Sequence, residues 1–379
     1  MARSHDMTSG SIWRSLLGFS IPIMISNLVQ STYNAVDMLF VGRFTGTESL
    51  AAVSVCGPIL NVMIITLSGM SAGVLVVISG LLGAGDIKQA QDAAHTSVAL
   101  YALMAAVMTV LGLLFVPQIL RLVQTPAAAM PEAKRYLYTV FAGTVFTFGY
   151  NLIGALQRGL GNATASMSFV IISSAANIAL DAVFIVWLGM GALGAALGTV
   201  LSQVAAFVIG TVQLARGGAA LRLSARAVRF HKKHLKNILL FGVPTALNEV
   251  MVNLAMLTVS GVANSFGLAS SAAYGVGSRI NSLAIFTDGA MNQTMSAYAS
   301  QNIGAGRQKR ALEGLWKAII LSAGAALGTS LLVLGFASEF SACFDSDPAV
   351  IEQSAAFLRV TVWSYPLFAT VGPLIGFIR

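Results

Sequence analysis

The stretch IPIMISNLVQSTYNAVDMLFVG, residues 21–42, is apolar and long enough to cross a bilayer as a helix. At about 100° per residue, five polar side chains fall within about one third of the helix circumference: Asn27, Gln30, Ser31, Asn34 and Asp37. An ionisable group inside a membrane helix costs about 2.5–3.5 kcal/mol, so we expect Asp37 to face a bundle interior or a wet cavity. Asp37 is either a functional group or a structural carboxylate paired with a neighbour, and the pattern favours function.

The composition of the whole chain is that of a polytopic membrane protein. Of its 379 residues 56% are hydrophobic and 9% charged, against about 25% charged in soluble domains. Apolar runs of about 18 residues or more recur along nearly the entire length and leave no room for a separate soluble domain. The two cysteines are too few for a disulfide framework or a metal site.

The apolar runs predict ten membrane helices, an all-α fold. They lie at 15–41, 50–82, 93–115, 133–157, 163–187, 191–214, 235–263, 268–302, 311–336 and 352–378. The polar segment 216–236 is the only sizeable connection, so it is predicted to link an N-terminal lobe (1–215) to a C-terminal lobe (237–379). His231 and His234 in this segment lack acidic partners, and a solvated loop is favoured over a metal site.

The distribution of positive charge predicts the orientation. Most of the 22 basic residues lie on the side of the N-terminus if that end is cytoplasmic. The exceptions are Arg43, Arg121, Lys134, Arg135 and Arg359 on the other side, and Arg279 within a span. The positive-inside rule therefore predicts a multi-pass protein of the cell (plasma or inner) membrane, with both termini and the linker cytoplasmic.

The two halves of the sequence repeat at an offset of about 221 residues. The matching pairs are 16–22 with 238–244, 83–85 with 304–306, and 152–158 with 374–379. Parallel repeats about an axis along the membrane normal are typical of alternating-access transporters. We therefore expect two pseudo-symmetric six-helix lobes, of which the second is truncated by two helices, either as a fragment or through a natural early end.

A second carboxylate lies deep in the first half. Asp181 follows Ser173 and Asn177 at intervals of four residues, so the three share one helix face. Thr199 on the sixth helix and Tyr33, one turn before Asp37, could complete a polar pocket. Serine and threonine often bond their own backbone, and asparagine often joins helices. Two carboxylates with polar neighbours in one lobe are stronger evidence for function than any one of these residues.

Together, several motifs resemble the multidrug and toxic compound extrusion family, which is related to polysaccharide and lipid flippases. They are Pro22 followed by Tyr33-Asn34-Ala35-Val36-Asp37 and Val41-Gly42, then Gln157-Arg158-Gly159-Leu160-Gly161-Asn162, Asn177-Ile178-Ala179-Leu180-Asp181, Pro244, and Gly304-Ala305-Gly306. The resemblance implies an ion-coupled antiporter that exports diverse, often cationic, organic compounds. In the branch with its coupling site in the amino-terminal lobe, the implicated positions match Asp37, Asn177, Asp181 and Thr199, for H⁺ or Na⁺.

The C-terminal half departs from the branch that uses acidic residues there. Glu249, which begins a polar stripe with Asn253, and Asp288 are the candidate acids, but neither lies in a motif that can be matched residue by residue. We expect them to line the substrate cavity or to pair with Arg279. The predicted cavity residues are Asn27, Gln30, Tyr33, Asn34, Glu249, Asn253 and Asp288.

Other function classes fit less well. A flippase for lipid-linked precursors should line its cavity with several cationic residues, and only Arg279 lies clearly within a span. An intramembrane enzyme needs a nucleophile or metal motif that this sequence lacks. The sequence therefore predicts a transporter of small molecules in the lipid bilayer, not an enzyme, without a cofactor or nucleic-acid partner and acting as a monomer.

Overall fold

The computed structural model describes residues 6–216, 221, 223–284 and 286–379, and within these residues it contains helices and no strand. The helices of the first half are α1 Ile12–Phe44, α2 Thr47–Gly83, α3 Ile87–Leu122, α4 Met130–Gly159, α5 Ala163–Asp181 and α6 Gly191–Arg216. Those of the second half are α7 Lys232–Ser265, α8 Leu268–Ala284, α9 Phe286–Gly304, α10 Gln308–Ala342, α11 Pro348–Thr361 and α12 Tyr365–Ile378. A π-helical turn, Ala182–Trp187, follows α5 directly.

The described chain has 9 segments that are long and apolar enough to cross a membrane. They agree with the predicted spans outside 268–302; within that range the structure describes α8 and α9 on either side of residue 285, which lies outside the described residues. The predicted span at 268–302 includes residue 285 and therefore stays a prediction. The last predicted span, 352–378, consists of α11, a 3₁₀ turn (Val362–Ser364) and α12.

The chain forms two compact units. Unit 1 contains Met1–Asp6 and Ile25–Ala246, and unit 2 contains Met7–Met24 and Leu247–Arg379. The polar linker 216–236 therefore lies inside unit 1, and the two boundaries fall within α1 and α7. The predicted lobes, 1–215 and 237–379, stay a prediction, because these units are defined by contacts and not by the sequence repeat.

Proline interrupts α1 and α7 close to these boundaries. Pro22 lies inside α1 and Pro244 inside α7, each two residues before the last residue of its unit segment, Met24 or Ala246. A proline has no N–H to donate to the carbonyl four residues earlier, and its ring crowds that carbonyl. Each helix therefore lacks a backbone hydrogen bond near the point where it passes from one unit to the other.

The repeated Gly-x-Gly turns have the same backbone geometry. After α2, Gly85 has φ +73° and the N–H of Asp86 donates to the Leu81 carbonyl at 3.0 Å. After α9, Gly306 has φ +71° and the N–H of Arg307 donates to the Asn302 carbonyl at 2.7 Å. Glycine populates this left-handed conformation without a steric cost, which explains the motif in both halves.

The turns differ at the residue that begins the next helix. Asp86 accepts the backbone N–H of Gln89 at 3.0 Å and caps α3, whereas Arg307 makes no side-chain cap to α10. The hydrogen bond from the Gln89 backbone lowers the pKa of Asp86 because it stabilises the carboxylate form. The two halves therefore share a turn and differ in the charge at its end.

Small residues bring the helices of unit 1 into close contact. A Cβ on Gly143 of α4 would lie 2.5 Å from Val200 of α6, and one on Gly149 would lie 2.6 Å from Phe207. Glycine at these positions lets the two backbones approach, as is usual between membrane helices. This approach places α6 beside α5 and α4, where the polar residues of the predicted site lie.

Candidate functional site

The carboxyl groups of Asp37 and Asp181 lie within hydrogen-bonding reach of each other in unit 1. Asp37 is on the second half of α1, and Asp181, the last residue of α5, is fully buried. The Oδ1 atom of each is buried and has no hydrogen-bond donor among the described residues. Two ionised carboxylates can only accept hydrogen bonds, so a hydrogen bond between them requires a proton.

Asn177 connects this pair to α6. With its amide oriented to satisfy both neighbours, Nδ2 donates to Asp181 Oδ2 at 3.2 Å and Oδ1 accepts the backbone N–H of Thr199 at 3.2 Å. Asn177 precedes Asp181 by one helical turn, as the spacing predicts. Thr199 contributes its peptide N–H to these contacts, a role that the residue type does not indicate.

Gly198 presents bare backbone to the Asp181 carboxyl group. A Cβ at this position would collide with Asp181 Oδ1. Because glycine has no side chain, α6 packs against the end of α5 and encloses the carboxyl group. The sequence analysis did not single out Gly198, since nothing in the local pattern shows which part of α6 crosses α5.

The π-helical turn after Asp181 is a second feature that the sequence did not reveal. The N–H of Leu188 donates to the Val183 carbonyl at 3.0 Å, five residues back, and the N–H of Met190 donates to the Phe184 carbonyl at 2.9 Å. A turn of this type widens the helix and recurs at functional sites. It leaves Asp181 at the junction between regular helix and widened turn.

A polar cavity of about 100 Å³ lies beside Asn177 in unit 1. It is lined by Gln30, Tyr33, Ile64, Leu67, Thr147, Tyr150, Asn151, Ser173, Ser174, Asn177, Ser202 and Gln203. Liquid water occupies about 30 Å³ per molecule, so the cavity has room for roughly three waters. Drug-sized ligands need about 300–1,000 Å³, so in this conformation the cavity fits water or an ion.

The cavity wall contains polar residues beyond those predicted. Thr147 Oγ1 donates to Gln203 Oε1, joining α4 to α6, and Asn151 Nδ2 donates to the Thr147 carbonyl at 2.8 Å. Ser173 Oγ donates to the Ser202 carbonyl at 3.0 Å. Single polar residues on membrane helices often serve packing alone, so only their convergence identifies Thr147 and Gln203 as part of this wall.

Two of the four predicted cavity residues on α1 line this cavity. Gln30 and Tyr33 form part of its wall, and their side chains are hydrogen-bonded to each other. Asn34 is exposed and Asn27 is half-buried, and neither lines this cavity. The polar stripe of α1 is therefore divided between the cavity wall, the carboxyl pair at Asp37, and positions outside both.

The predicted acidic residues of the second half lie in unit 2 and have other partners. Asp288 accepts the backbone N–H of Gly372 at 2.8 Å, which ties α9 to α12. Glu249 interacts electrostatically with Arg379, and Asn253 Nδ2 donates to the Glu249 carbonyl at 2.8 Å. Among the described residues, neither acid forms an ion pair with Arg279.

Comparison with known proteins agrees with the fold. The family model MatE matches residues 22–183 and 244–379. The probable multidrug resistance protein YoeA of Bacillus subtilis (strain 168) is 30% identical over 371 residues, or 94% of this chain and 79% of that protein. The probable multidrug resistance protein YpnP of the same organism is 27% identical over 377 residues, covering 100% of this chain and 84% of its own length.

A solved structure shares the architecture. The crystal structure of MATE in complex with MaD3S superposes with a TM-score of 0.91 at 25% sequence identity. The match covers 98% of this chain and 84% of that one. The helical framework that holds Asp37 and Asp181 is thus the framework of a known transporter fold.

Proposed function

Because this chain belongs to the MatE family of multidrug efflux transporters, we propose that it is a secondary antiporter that exports organic, often cationic, compounds in exchange for an ion. Family membership makes it a multi-pass membrane transporter that exports drugs, and not an enzyme. The antiport mechanism, the coupling ion, the residues involved, the cytoplasmic position of both termini and a monomeric state are our proposals.

The observation that carries this proposal is the pair of adjacent carboxyl groups in unit 1. No basic side chain forms an ion pair with Asp37 or Asp181 among the described residues. Two ionised carboxylates at hydrogen-bonding distance repel each other strongly in a site shielded from water. The pair therefore requires a proton or another cation, which is what an ion-coupling centre must bind and release.

We propose H⁺ as the coupling ion on the basis of the Asn177 amide. Hard metal cations prefer oxygen ligands. When the Asn177 amide is oriented to satisfy both neighbours, its nitrogen faces Asp181 and its oxygen accepts the Thr199 N–H, so that orientation offers no oxygen ligand beside the carboxyl pair. A Na⁺ site formed by Asp37, Asp181, Asn177 and Thr199 would require this amide to rotate, whereas a proton shared by the carboxyl groups requires no rearrangement.

The transport cycle follows from the charge of the pair. When a proton binds, the site loses negative charge and its attraction for a cationic substrate weakens, so the substrate is released. When the proton leaves, the restored charge favours uptake of the next substrate beside Gln30 and Tyr33. Coupling to the rest of the molecule requires that the two protonation states favour different conformations, and the missing hydrogen bond at Pro22 gives α1 a point at which to bend.

The test is export of a fluorescent organic cation by purified protein in proteoliposomes with an imposed pH or Na⁺ gradient. Asp37→Asn should reduce gradient-driven export at least about 100-fold while the protein remains folded. Glu352→Gln, which neutralises an exposed acid in unit 2, is the matched control and should retain activity. Full gradient-driven export by Asp37→Asn would overturn the mechanism, and export driven by Na⁺ alone would overturn the choice of proton.

A further inference from the structure

The linker between α6 and α7 is strongly and uniformly basic. Residues 216–236 contain seven basic residues and no acidic one, and the next acidic residue along the chain is Glu249. The basic residues are Arg216, Arg222, Arg226, Arg229, Lys232, Lys233 and Lys236. Since the linker joins two membrane helices, it lies just outside the hydrocarbon layer.

Much of the linker is held against the first turns of α3 and is therefore preorganised. Thr96 is the central anchor: its Oγ1 accepts the N–H of His231 at 3.2 Å and also approaches the Arg229 carbonyl at 3.4 Å. Further contacts join the Ser224 N–H to His95 Nε2 at 3.2 Å and Lys233 Nζ to Gln89 Oε1 at 3.0 Å. Leu221 is buried in the apolar core of unit 1 and fixes the start of this stretch.

Three basic side chains of the held segment are uncompensated. Arg226, Lys232 and Lys236 are exposed, and none of them has an ion pair among the described residues. Lys232 and Lys236 lie one turn apart at the start of α7, where positive charge is unfavourable because of the helix dipole. These lysines therefore do not stabilise the helix that carries them.

An exposed aromatic residue lies among these charges. Phe230 is 48% exposed and directly follows Arg229, and Lys232 and Lys233 follow two and three residues later. Aromatic rings with neighbouring basic side chains are typical of the interface between a membrane and water. Clusters of basic residues beside a membrane helix are attracted to anionic lipid headgroups.

We propose that Arg226, Lys232 and Lys236, held in place by the contacts of the linker with α3, form a binding surface for anionic lipid headgroups, with Phe230 at the level of the headgroups. Orientation of the protein explains why basic residues lie on this side. It does not explain why these three side chains stay without an ion pair while the linker is held on α3, whose Asp92 and Asp86 interact with His231 and Lys233 instead. A fixed surface loses less conformational entropy on binding than a free loop, so the anchoring increases its affinity.

The experiment measures lipid binding to the purified full-length chain by native mass spectrometry, with phosphatidylglycerol and phosphatidylcholine of matched acyl chains. Wild type should prefer phosphatidylglycerol, and the preference should decrease with salt. The combined variant Arg226→Gln, Lys232→Gln, Lys236→Gln should lose affinity for phosphatidylglycerol by about fivefold for each charge removed, or about 100-fold in total. Binding of phosphatidylcholine should not change.

Two further variants make the result specific to this surface. The combined variant Arg43→Gln, Arg121→Gln, Lys134→Gln removes three charges near the opposite end of α3 and should bind phosphatidylglycerol as wild type does. Thr96→Val keeps every charge but removes the anchor, and should weaken phosphatidylglycerol binding about threefold. Equal affinity of wild type for the two lipids, or an equal loss in both triple variants that remain folded, would overturn the proposal.

Discussion

The acidic residues of the two units have different partners. In unit 1, Asp37 and Asp181 face each other, and each has an Oδ1 atom without a donor among the described residues. In unit 2, Asp288 accepts a backbone N–H, and Glu249 interacts with Arg379. Carboxylates are therefore present in both units, but only in unit 1 do two of them lie side by side, each with a buried Oδ1 atom that has no donor among the described residues.

An acidic residue inside a membrane protein can have one of two roles, depending on its partners. A carboxylate whose charge is balanced by protein groups can stay ionised throughout a cycle and contributes to packing or to the local field. A carboxylate without such a partner must bind a mobile cation, and its occupancy can change. We therefore expect the change of charge during transport at the carboxyl pair of unit 1 and not at Glu249, which interacts with Arg379.

The largest expected effect comes from exchanging acid for amide in each unit. Asp181→Asn should reduce gradient-driven export at least about 100-fold, because the pair loses the charge that binds the proton. Glu249→Gln should preserve coupling and change the relative export rates of different cations by less than about tenfold. Initial rates in inverted vesicles with two substrates measure both effects. Loss of coupling in Glu249→Gln together with normal coupling in Asp181→Asn would reverse the assignment.

Gly198→Ala tests the enclosure of the unit 1 pair without changing any charge. The added methyl group would meet Asp181 Oδ1 and displace either the carboxyl group or α6. We expect at least a tenfold loss of export, since small displacements of reacting groups are costly. Gly324→Ala is the matched control, because a Cβ there has nothing within 4 Å. The same export rate in both variants would show that close packing on Asp181 is not needed.

A double-mutant cycle measures the compensation in unit 2. Arg379→Gln and Glu249→Gln should each lower the thermal unfolding midpoint, and the combined variant should lose less than the sum of the two. We expect a coupling free energy of about 0.5–1 kcal/mol, typical of a charge pair that retains some access to water. Strict additivity would mean that Arg379 does not compensate Glu249.

The smallest expected effect is at the turn where the units differ in charge. Asp86→Ala should lower the unfolding midpoint by about 2 °C at neutral pH, because α3 loses its cap. The folded-state pKa of Asp86 is lowered, so its stabilisation is present above the unfolded-state pKa near 3.8 and is lost as the pH falls through the folded-state value. The difference from wild type should therefore vanish in acid. Arg307→Ala, which removes no cap, should show no such pH dependence.

Helical spacing and residue chemistry were sufficient to predict much of unit 1. The line of polar residues on the first helix and the four-residue interval between Asn177 and Asp181 both depend on local geometry, and the structure brings these groups together. Gly198 and Gln203 could not be predicted, because their roles depend on where α6 crosses α5 and α4.

The N-terminal segment of unit 2 is anchored to residues far along the chain. The N–H of Met7 donates to Gln301 Oε1 at 3.1 Å, Asn302 Nδ2 donates to the Met7 carbonyl at 3.2 Å, and Arg310 donates to the Ser9 carbonyl at 2.9 Å. Met7 is fully buried in this arrangement. These contacts span sequence separations of 294 to 301 residues.

This separation sets an order for biosynthesis. At about 5–20 residues per second, a ribosome needs roughly 15–60 s to proceed from Met7 to Gln301. During that interval the helix that begins at Ile12 must stay inserted in the membrane without its final neighbours. Unit 1 has all of its segments once residue 246 is translated, so its assembly can precede that of unit 2. We therefore expect unit 2 to depend more on insertion factors that cover the first helix until its partners are synthesised.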